Sequence, residues 1–238
     1  MCKIFEKYPD IAIFNFIGFK PVVPKSSHVE LVLGIPNGDT VGEGNFTMTK
    51  QFAQRFIEQF KYGNKNARVG IFEYNDKPRT IVELNQGTSL HAVTSFVQKM
   101  QFSGGGNRVD RAWRHGATMF SKGGRTDINT GFKKSFVLLS SGQSSPGSED
   151  LGTTIRSLSG FNVVPVAVGP SAKAGSAKIS KDYLYYDSFP KLVTSGHIKA
   201  GDLAVQGGGS DVTTHGGGGG AGGGGGGSGK DILISLLD

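Results

Sequence analysis

Continuous apolar runs that alternate with helical spacing patterns decide what this chain can fold into. Ser135–Ser140 and Phe161–Val168 are almost wholly apolar, as strands buried on both faces of a parallel sheet are, and Val29–Gly34 is a similar short run. Parallel strands need crossover connections, and the sequence supplies helical patterns between these runs. We therefore predict a doubly wound α/β domain over residues 28–203, with a mostly parallel sheet and helices on both faces.

Helices are predicted wherever apolar residues recur at three- and four-residue spacings. This spacing occurs in Asn45–Phe60, Ser89–Met100 and Arg108–Ser121. Asn45 is expected to be the N-cap of the first helix, because its side-chain oxygen can accept free N–H groups of the first turn. A further helix is predicted to begin at Glu149 with Ser148 as its cap, and a short helical turn at Ser188–Val193.

Two neighbouring strand patterns interrupt the alternation of strand and helix. Arg68–Tyr74 and Arg79–Leu84 are separated only by the turn Asn75–Pro78, which is typical of a hairpin. We therefore expect one antiparallel hairpin at an edge of the sheet. Tyr183–Tyr186 predicts a last short strand.

The two ends of the chain differ in composition from this domain. Residues 1–27 are interpreted as an extended lead-in or linker, because the acidic Glu6 and Asp10 lie where a secretory signal carries positive charge. A targeting segment is the alternative. From Gly207 to Gly229, 15 of 23 residues are glycine. Such a segment buries too little apolar surface to order itself, so residues 204–238 are expected to be a disordered glycine-rich tail. Its short apolar end, Lys230–Leu237, is a candidate for self-association.

The charge of the chain follows the same division. The whole chain carries a formal +7, whereas residues 201–238 hold one lysine and four aspartates, which leaves +10 on residues 1–200. A basic domain attracts anionic partners or simply stays soluble, and charge alone does not choose between these. Nucleic acid is not an expected partner, because no aromatic residues interleave with the basic ones. A membrane is not expected either, since no apolar run approaches the roughly 18 residues of a bilayer span.

No set of residues has the pattern of an active site. Cys2 is the single cysteine, so neither an intrachain disulfide nor a cysteine zinc site is expected. The five histidines include no i, i+4 pair. Gly224–Asp231 departs from a phosphate-binding loop at its last position, where the carboxylate of Asp231 would repel phosphate. We therefore expect a protein that is not an enzyme and needs no cofactor.

The loops at the carboxyl ends of the predicted strands, where doubly wound sheets bind ligands, carry a family resemblance. From about Val29 to Leu203 the chain resembles the von Willebrand factor type A domain. The resemblance rests on five motifs in order: VGEGNF (Val41–Phe46), ARVGIFEYND (Ala67–Asp76), FSGGGNRVDRAW (Phe102–Trp113), FVLLSSGQS (Phe136–Ser144) and VVPVAVG (Val163–Gly169). It implies a doubly wound fold and a binding function.

Many members of that family bind a divalent cation through a metal-ion-dependent adhesion site (MIDAS). An Asp-x-Ser-x-Ser motif, a threonine and a second aspartate supply its oxygen ligands. The resemblance places Pro36, Gly38 and Thr40 at the three motif positions. It places Gly106 at the threonine and Ser141 at the second aspartate. Both carboxylates are thereby lost, so the affinity for a dication is expected to be very weak.

The loops remain the candidate ligand-binding site of this degenerate adhesion site. The candidate residues are Pro36, Asn37, Gly38, Asp39, Thr40, Gly106, Asn107, Ser141 and Gln143. Asp39 and Asp110 lie within a few residues of the lost ligands, and a divalent cation held by them is the alternative to a metal-free site. The interpretation favoured here is that both are solvated charges.

A second candidate surface is basic and follows the third predicted helix and its exit. Its members are Arg108, Arg111, Arg114, His115, Lys122 and Arg125. The sequence leaves two interpretations open, a solvated helix face and a patch for acidic or sulfated partners.

These features predict a secreted, non-enzymatic module of an extracellular matrix that mediates protein–protein or protein–polysaccharide assembly. Matrix proteins, acidic or sulfated polysaccharides, collagen-like chains and chitin are the expected partners. The glycine-rich extension resembles those of collagen VI-like chains and of molluscan shell or byssal matrix proteins, which would include a role in biomineralization. The alternative is an intracellular scaffold that uses the same fold within a multiprotein complex.

Overall fold

A six-stranded sheet forms the centre of the fold. The computed structural model describes residues 28–125, 131–147 and 158–206. The strands are β1 (Val29–Pro36), β2 (Arg68–Tyr74), β3 (Arg79–Val82), β4 (Lys133–Ser141), β5 (Asn162–Val168) and β6 (Leu184–Tyr186). They lie in the order β3-β2-β1-β4-β5-β6. All neighbours are parallel except β2 and β3, so the predicted sheet with one antiparallel edge hairpin is confirmed.

Helices cover both faces of this sheet. They are α1 (Glu43–Ile57), α2 (Leu90–Lys99), α3 (Val109–Gly123), α4 (Pro170–Ile179), α5 (Phe189–Lys191) and α6 (His197–Gln206), with a π-helical turn at Leu192–Gly196 between the last two. Among these residues, no helix combines the length and the apolar character that crossing a bilayer requires.

The alternation of side chains along the central strands divides the core into two layers. Leu31 and Leu33 of β1 pack with Phe52 and other residues of α1 on one side of the sheet. On the other side, β1 and β4 pack against α3, where the rings of Trp113 and Phe136 lie 4.8 Å apart. Most of the side chains that the central strands bury in both layers are apolar, which explains why these strands appear in the sequence as nearly continuous apolar runs.

The start of α1 differs from the prediction, and Asn45 is not its N-cap. The helix begins at Glu43 after Gly42, whose φ of +74° is a conformation that glycine adopts without strain. Asn45 therefore lies inside the first turn, where its Nδ2 group donates to Val41 O at 2.9 Å. The helix also ends at Ile57 rather than at Phe60.

Two observed helices were not predicted, α4 and α6. Their buried faces consist largely of small residues, such as Ala172 and Ser176 in α4 and Ala200 and Ala204 in α6. Small buried residues give a weak periodic signal, so neither helix stands out in the sequence.

The remaining predictions concern the end of the domain and the segments around it. The predicted turn at Ser188–Val193 is observed as α5 and the start of the π-helical turn. Residues 204–206, which the sequence assigned to the tail, are helical, because α6 continues to Gln206. The predictions for residues 1–27, for the helix beginning at Glu149 with its cap Ser148, and for the tail from residue 207 onward lie outside the described residues.

Candidate ligand-binding face

The loops that follow β1 and β4 meet at the centre of the sheet. β1 and β4 are parallel neighbours, although the chain passes through β2 and β3 between them. Such a reversal of strand order is where doubly wound sheets bind ligands. Here the hydroxyl oxygens of Thr40 and Ser141 lie 3.2 Å apart. We call the surface formed by residues 36–42, 101–108 and 141–145 the loop face.

A buried asparagine joins the first loop to the second. Asn37 is fully buried, and its Nδ2 group donates to Gln101 O at 2.9 Å and to Glu73 Oε2 at 3.0 Å. Its Oδ1 atom accepts from Ser103 N at 3.0 Å. A buried amide is costly unless it is bonded, and here both of its N–H groups and its oxygen have partners. These bonds hold the two loops together.

A second buried asparagine joins the second loop to the third. Asn107 is 2% exposed, and its Nδ2 group donates to Ser141 O and Gln143 O, each at 2.8 Å. Its main chain adds a bond from Asn107 N to Ser145 Oγ at 2.6 Å and one from Ser145 N to Asn107 O at 2.8 Å. Two neutral amides therefore connect all three loops.

Close packing of glycines fills the space between the same loops. A Cβ atom at Gly38 would overlap Gly106 O, and one at Gly106 would overlap the carboxylate of Asp76. Gly38 and Gly106 occupy two of the predicted ligand positions, so the main chains of the two loops touch where the family resemblance implies ligand side chains.

The carboxylates of the loop face bind the glycine-rich second loop. Asp39 Oδ1 accepts from Gly105 N at 3.1 Å, and Asp76 Oδ2 accepts from Gly106 N at 3.0 Å. Backbone N–H groups of a glycine-rich turn favour anions, and in this chain two of its own carboxylates satisfy them. Asp76 was not predicted as a site residue, although it is the last residue of the motif Ala67–Asp76.

Asp110, the other acid considered as a substitute ligand, is paired inside the domain. Arg108 donates to it through Nε at 2.9 Å and through Nη2 at 2.8 Å, in a bidentate pair that is largely buried. A bidentate guanidinium–carboxylate pair is among the stronger polar contacts in proteins. Asp110 thus lies at the start of α3 as a partner of Arg108.

The residues at the adhesion-site positions do not fit a divalent cation. Pro36, Gly38 and Gly106 have no side-chain oxygen, and the hydroxyls of Thr40 and Ser141 lie within hydrogen-bond distance of each other. Carboxylates supply most of the affinity for hard cations. Within residues 28–125, 131–147 and 158–206, no three His, Cys, Asp or Glu side chains come together as metal ligands do.

A pocket of about 240 Å³ opens beside Thr40 and Ser141. Its far wall consists of Gly169 with the start of α4, Pro170 and Ser171, and of Asp187 and Ser188 with the start of α5, Phe189. Lys191 Nζ lies 2.6 Å from Asp187 Oδ2, and hydrogen bonds from Lys191 and Ser188 hold the pKa of Asp187 below its ordinary value. Sequence reasoning missed Asp187; the available signal was an acid directly after the last predicted strand.

The predicted basic residues lie along α3 and just beyond its two ends. Arg125 lies at the opposite end of the sheet from the loop face and is almost buried. Its Nη1 donates to Glu30 Oε1 at 3.2 Å, and its guanidinium lies 3.8 Å from the centroid of the Phe132 ring. Glu30 is fully buried and also lies 3.8 Å from Arg68 Nη1. Burial lowers the pKa of Arg125.

The remaining basic residues lie along the outer side of α3. His115 Nε2 lies 2.9 Å from Thr80 Oγ1, and burial holds the pKa of His115 below its ordinary value. Arg111 and Arg114 are partly exposed and Lys122 is exposed. These three are the predicted basic residues of α3 that lie farthest toward solvent, and ligand binding by them stays a prediction.

Together, the strand order and the three joined loops define a doubly wound domain of the class that binds ligands at the carboxyl ends of its strands. More specifically, the chain belongs to the von Willebrand factor type A domain family, whose sequence model matches residues 31–184. The resemblance deduced from the five motifs is thereby confirmed.

Curated relatives of this chain include collagen chains and matrilins. The chain is 21% identical over 195 residues to the collagen alpha-6(VI) chain of Homo sapiens, which covers 79% of this chain and 8% of that protein. It is 23% identical over 178 residues to matrilin-1 of Gallus gallus, covering 71% of this chain and 35% of that protein. The chain therefore spans only a small part of the length of these relatives.

The fold is also shared with solved structures of proximal thread matrix protein 1 from the mussel byssus. One matches with a TM-score of 0.67 at 16% identity and covers 76% of this chain and 49% of that chain. Another, with a zinc-occupied MIDAS motif, matches with a TM-score of 0.64 at 19% identity, covering 77% and 47%. At this identity the likeness shows the fold alone, and the zinc belongs to that protein.

Proposed function

We propose that this chain is a non-enzymatic binding module of an extracellular matrix, whose loop face contacts matrix proteins or polysaccharides without a bound cation. The observation that carries the proposal is the pair of buried amides, Asn37 and Asn107, which join the three loops by hydrogen bonds. A surface that is already ordered loses little conformational freedom when a partner binds. The loop face is therefore ready to bind in the state described.

The relatives support the extracellular assignment. Collagen chains, a matrilin and a byssal matrix protein are components of matrices. We infer that this chain is secreted into such an assembly, and that collagen-like chains are its first candidate partners. Chitin in a mineralised or byssal matrix is the further candidate, and the glycine-rich tail from residue 207 is proposed to add self-association.

The exposed side of α3 is proposed as a second contact, for acidic or sulfated polysaccharides. Three basic residues share one face of this helix, because they are spaced by three and by eight residues: Arg111, Arg114 and Lys122. None of them is buried. Clustered cations attract polyanions at low salt, and the attraction weakens as salt screens it. Binding through this surface should therefore disappear above about 0.3 M salt.

The test is retention of the full chain on collagen, chitin and heparin surfaces, in EDTA and in millimolar Mg²⁺. We expect equal retention in both buffers on at least one surface, and loss of heparin binding with the triple substitution Arg111→Gln, Arg114→Gln and Lys122→Gln. The matched control replaces three other exposed lysines and should keep heparin binding: Lys61→Gln, Lys65→Gln and Lys178→Gln. Retention that needs Mg²⁺, or no retention on any surface, would refute the proposal.

A further inference from the structure

The pocket beside the loop face is lined by both hydroxyl groups and apolar surface. Thr40 and Ser141 contribute hydroxyls from the loops after β1 and β4, and Ser171 and Ser188 contribute hydroxyls from the opposite side. Phe189 adds an apolar surface. Hydroxyls both donate and accept hydrogen bonds, so the pocket suits a ligand that itself carries several neutral donors and acceptors.

Asp187 is the single carboxylate among the residues that line the pocket. Its Oδ1 atom accepts from Ser188 Oγ at 3.0 Å and its Oδ2 atom from Lys191 Nζ at 2.6 Å. The main-chain N–H of Asp187 adds a third hydrogen bond to the carboxylate. A carboxylate has about four acceptor sites, so one remains for a ligand. The side chain is 52% exposed, which leaves that site accessible.

The charge of this pair argues against an ionic ligand. Lys191 neutralises Asp187, so a cationic side chain would have to displace the ammonium group from 2.6 Å. An anionic ligand would meet the carboxylate itself. A neutral hydroxyl can donate to the remaining acceptor site of the carboxylate without displacing Lys191 and without charge repulsion.

The size of the pocket suits about one ring of a ligand. Its 240 Å³ lies below the roughly 300–1,000 Å³ of pockets for drug-sized molecules. A single sugar residue presents adjacent hydroxyls at its edge and C–H groups on its faces, which can contact an apolar surface such as that of Phe189. Hydrolysis is not implied, because glycosidases generally need two carboxyl groups across the scissile bond.

We propose that this pocket binds one sugar residue of an uncharged polysaccharide, with Asp187 as the acceptor for one of its hydroxyls. The inference rests on the proposed matrix function and names a ligand class and a site for it. It needs no cation, since the hydroxyls of the sugar bind protein oxygens directly.

The test is a titration of the ¹⁵N-labelled full chain with N-acetylglucosamine, chitobiose and methyl glucoside, followed by NMR. Ligands with so few atoms bind weakly, and a dissociation constant on the order of 1 mM is expected for at least one of them. The shifted amide signals should belong to Gly142, Gly169, Ser171 and Asp187–Phe189, because these residues line the pocket.

Two substitutions and two matched controls make the assignment specific. Asp187→Asn should weaken binding at least about tenfold, because it removes one of the acceptor oxygens, whereas the exposed Asp182→Asn should not. Ser171→Trp should block the pocket, and Ala177→Trp, at an exposed position nearer the other end of the same helix, should not. Thermal melts of all four variants check that they fold.

The outcomes separate this inference from the proposed function. No shift with any of the three sugars, or equal binding by Ser171→Trp, overturns the pocket assignment. Shifts with N-acetyl-lysine amide in place of the sugars would overturn it in favour of a protein partner. If the full chain still binds a matrix surface while the pocket variants behave as wild type, only this inference fails; if it binds no surface, the proposed function fails as well.

Discussion

Removing the side chain of Asn107 should loosen the loop face, because that side chain joins the second and third loops. Asn107→Ala deletes two hydrogen bonds of 2.8 Å, to Ser141 O and Gln143 O. Each bond contributes about 1 kcal/mol net, and the buried carbonyl of Ser141, if left unpaired, adds up to about 1 kcal/mol. The free energy of unfolding should therefore fall by about 2 to 3 kcal/mol.

The assay is equilibrium urea unfolding of the full chain, followed by tryptophan fluorescence, since Trp113 is the single tryptophan and is buried. The change should also lower Tm by about 4 to 10 °C. Asn107→Asp should cost at least as much, because a carboxylate would face the two carbonyl oxygens. Asn85→Ala, at an exposed turn, is the matched control and should stay within about 0.5 kcal/mol of wild type.

Two results would refute this reasoning. One is an Asn107→Ala variant as stable as the Asn85→Ala control, which would mean that the Asn107 side chain does not stabilise the contact between the second and third loops. The other is full recovery of the variant by 5 mM Mg²⁺, a concentration chosen as roughly tenfold above a weak site's Kd. That recovery would mean that a cation, rather than the amides, can hold the loops.

Three further perturbations test the packing of the core, the buried Glu30–Arg125 ion pair and the pH dependence of stability. Gly116→Ala should destabilise by about 1 to 3 kcal/mol in urea unfolding, because its Cβ would overlap the Phe136 ring, whereas Gly175→Ala, with open space around it, should stabilise by about 0.5 to 1 kcal/mol. Glu30→Gln should cost about 3 to 5 kcal/mol in the same assay, because it leaves the buried guanidinium of Arg125 without its counter-charge. The pKa of His115 lies below its ordinary 6.5, so the unfolded chain binds more protons just below that pH. Stability should be full above about pH 6.5 and fall as the pH drops toward the folded pKa, and His115→Gln should flatten this dependence in pH-dependent melts.

Each of these predictions has a contradicting outcome. A stabilising Gly116→Ala would show that α3 can move away from β4 without cost. A Glu30→Gln variant near wild-type stability would show that solvent compensates Arg125. An unchanged pH profile in His115→Gln, with the exposed His91→Gln as the control, would show that another group titrates there.

The fold was largely predictable because its strongest determinants are local. The apolar runs of β4 and β5 are buried on both faces, so consecutive residues are apolar and the strands can be recognised from the local sequence. The edge hairpin followed from the short turn between β2 and β3. By contrast, α4 and α6 bury mostly small residues such as Ala172 and Ala204, and their helices become evident only from packing.

The candidate site was less predictable, because its contacts join residues far apart in the chain. The loss of carboxylates at the adhesion-site positions could be seen from Pro36 and Ser141 alone, given the family resemblance. The hydrogen bonds that replace the cation could not be predicted. Asn107 and its acceptors are separated by more than thirty residues, and no local sequence pattern indicates that they pair. Asp187 was missed for the same reason, as its place in the pocket depends on β6 lying next to β5 and β5 next to β4.

The most direct measurement for the central claim is calorimetric titration of Mg²⁺, Ca²⁺ and Zn²⁺ into the full chain after treatment with EDTA. The claim is that hydrogen bonds from Asn37 and Asn107, and not a cation, hold the loop face together. We predict no saturable heat with any of the three ions up to about 1 mM, since neutral oxygens bind dications weakly. Saturable binding at micromolar concentration, abolished by Thr40→Ala or Asp39→Asn, would contradict it.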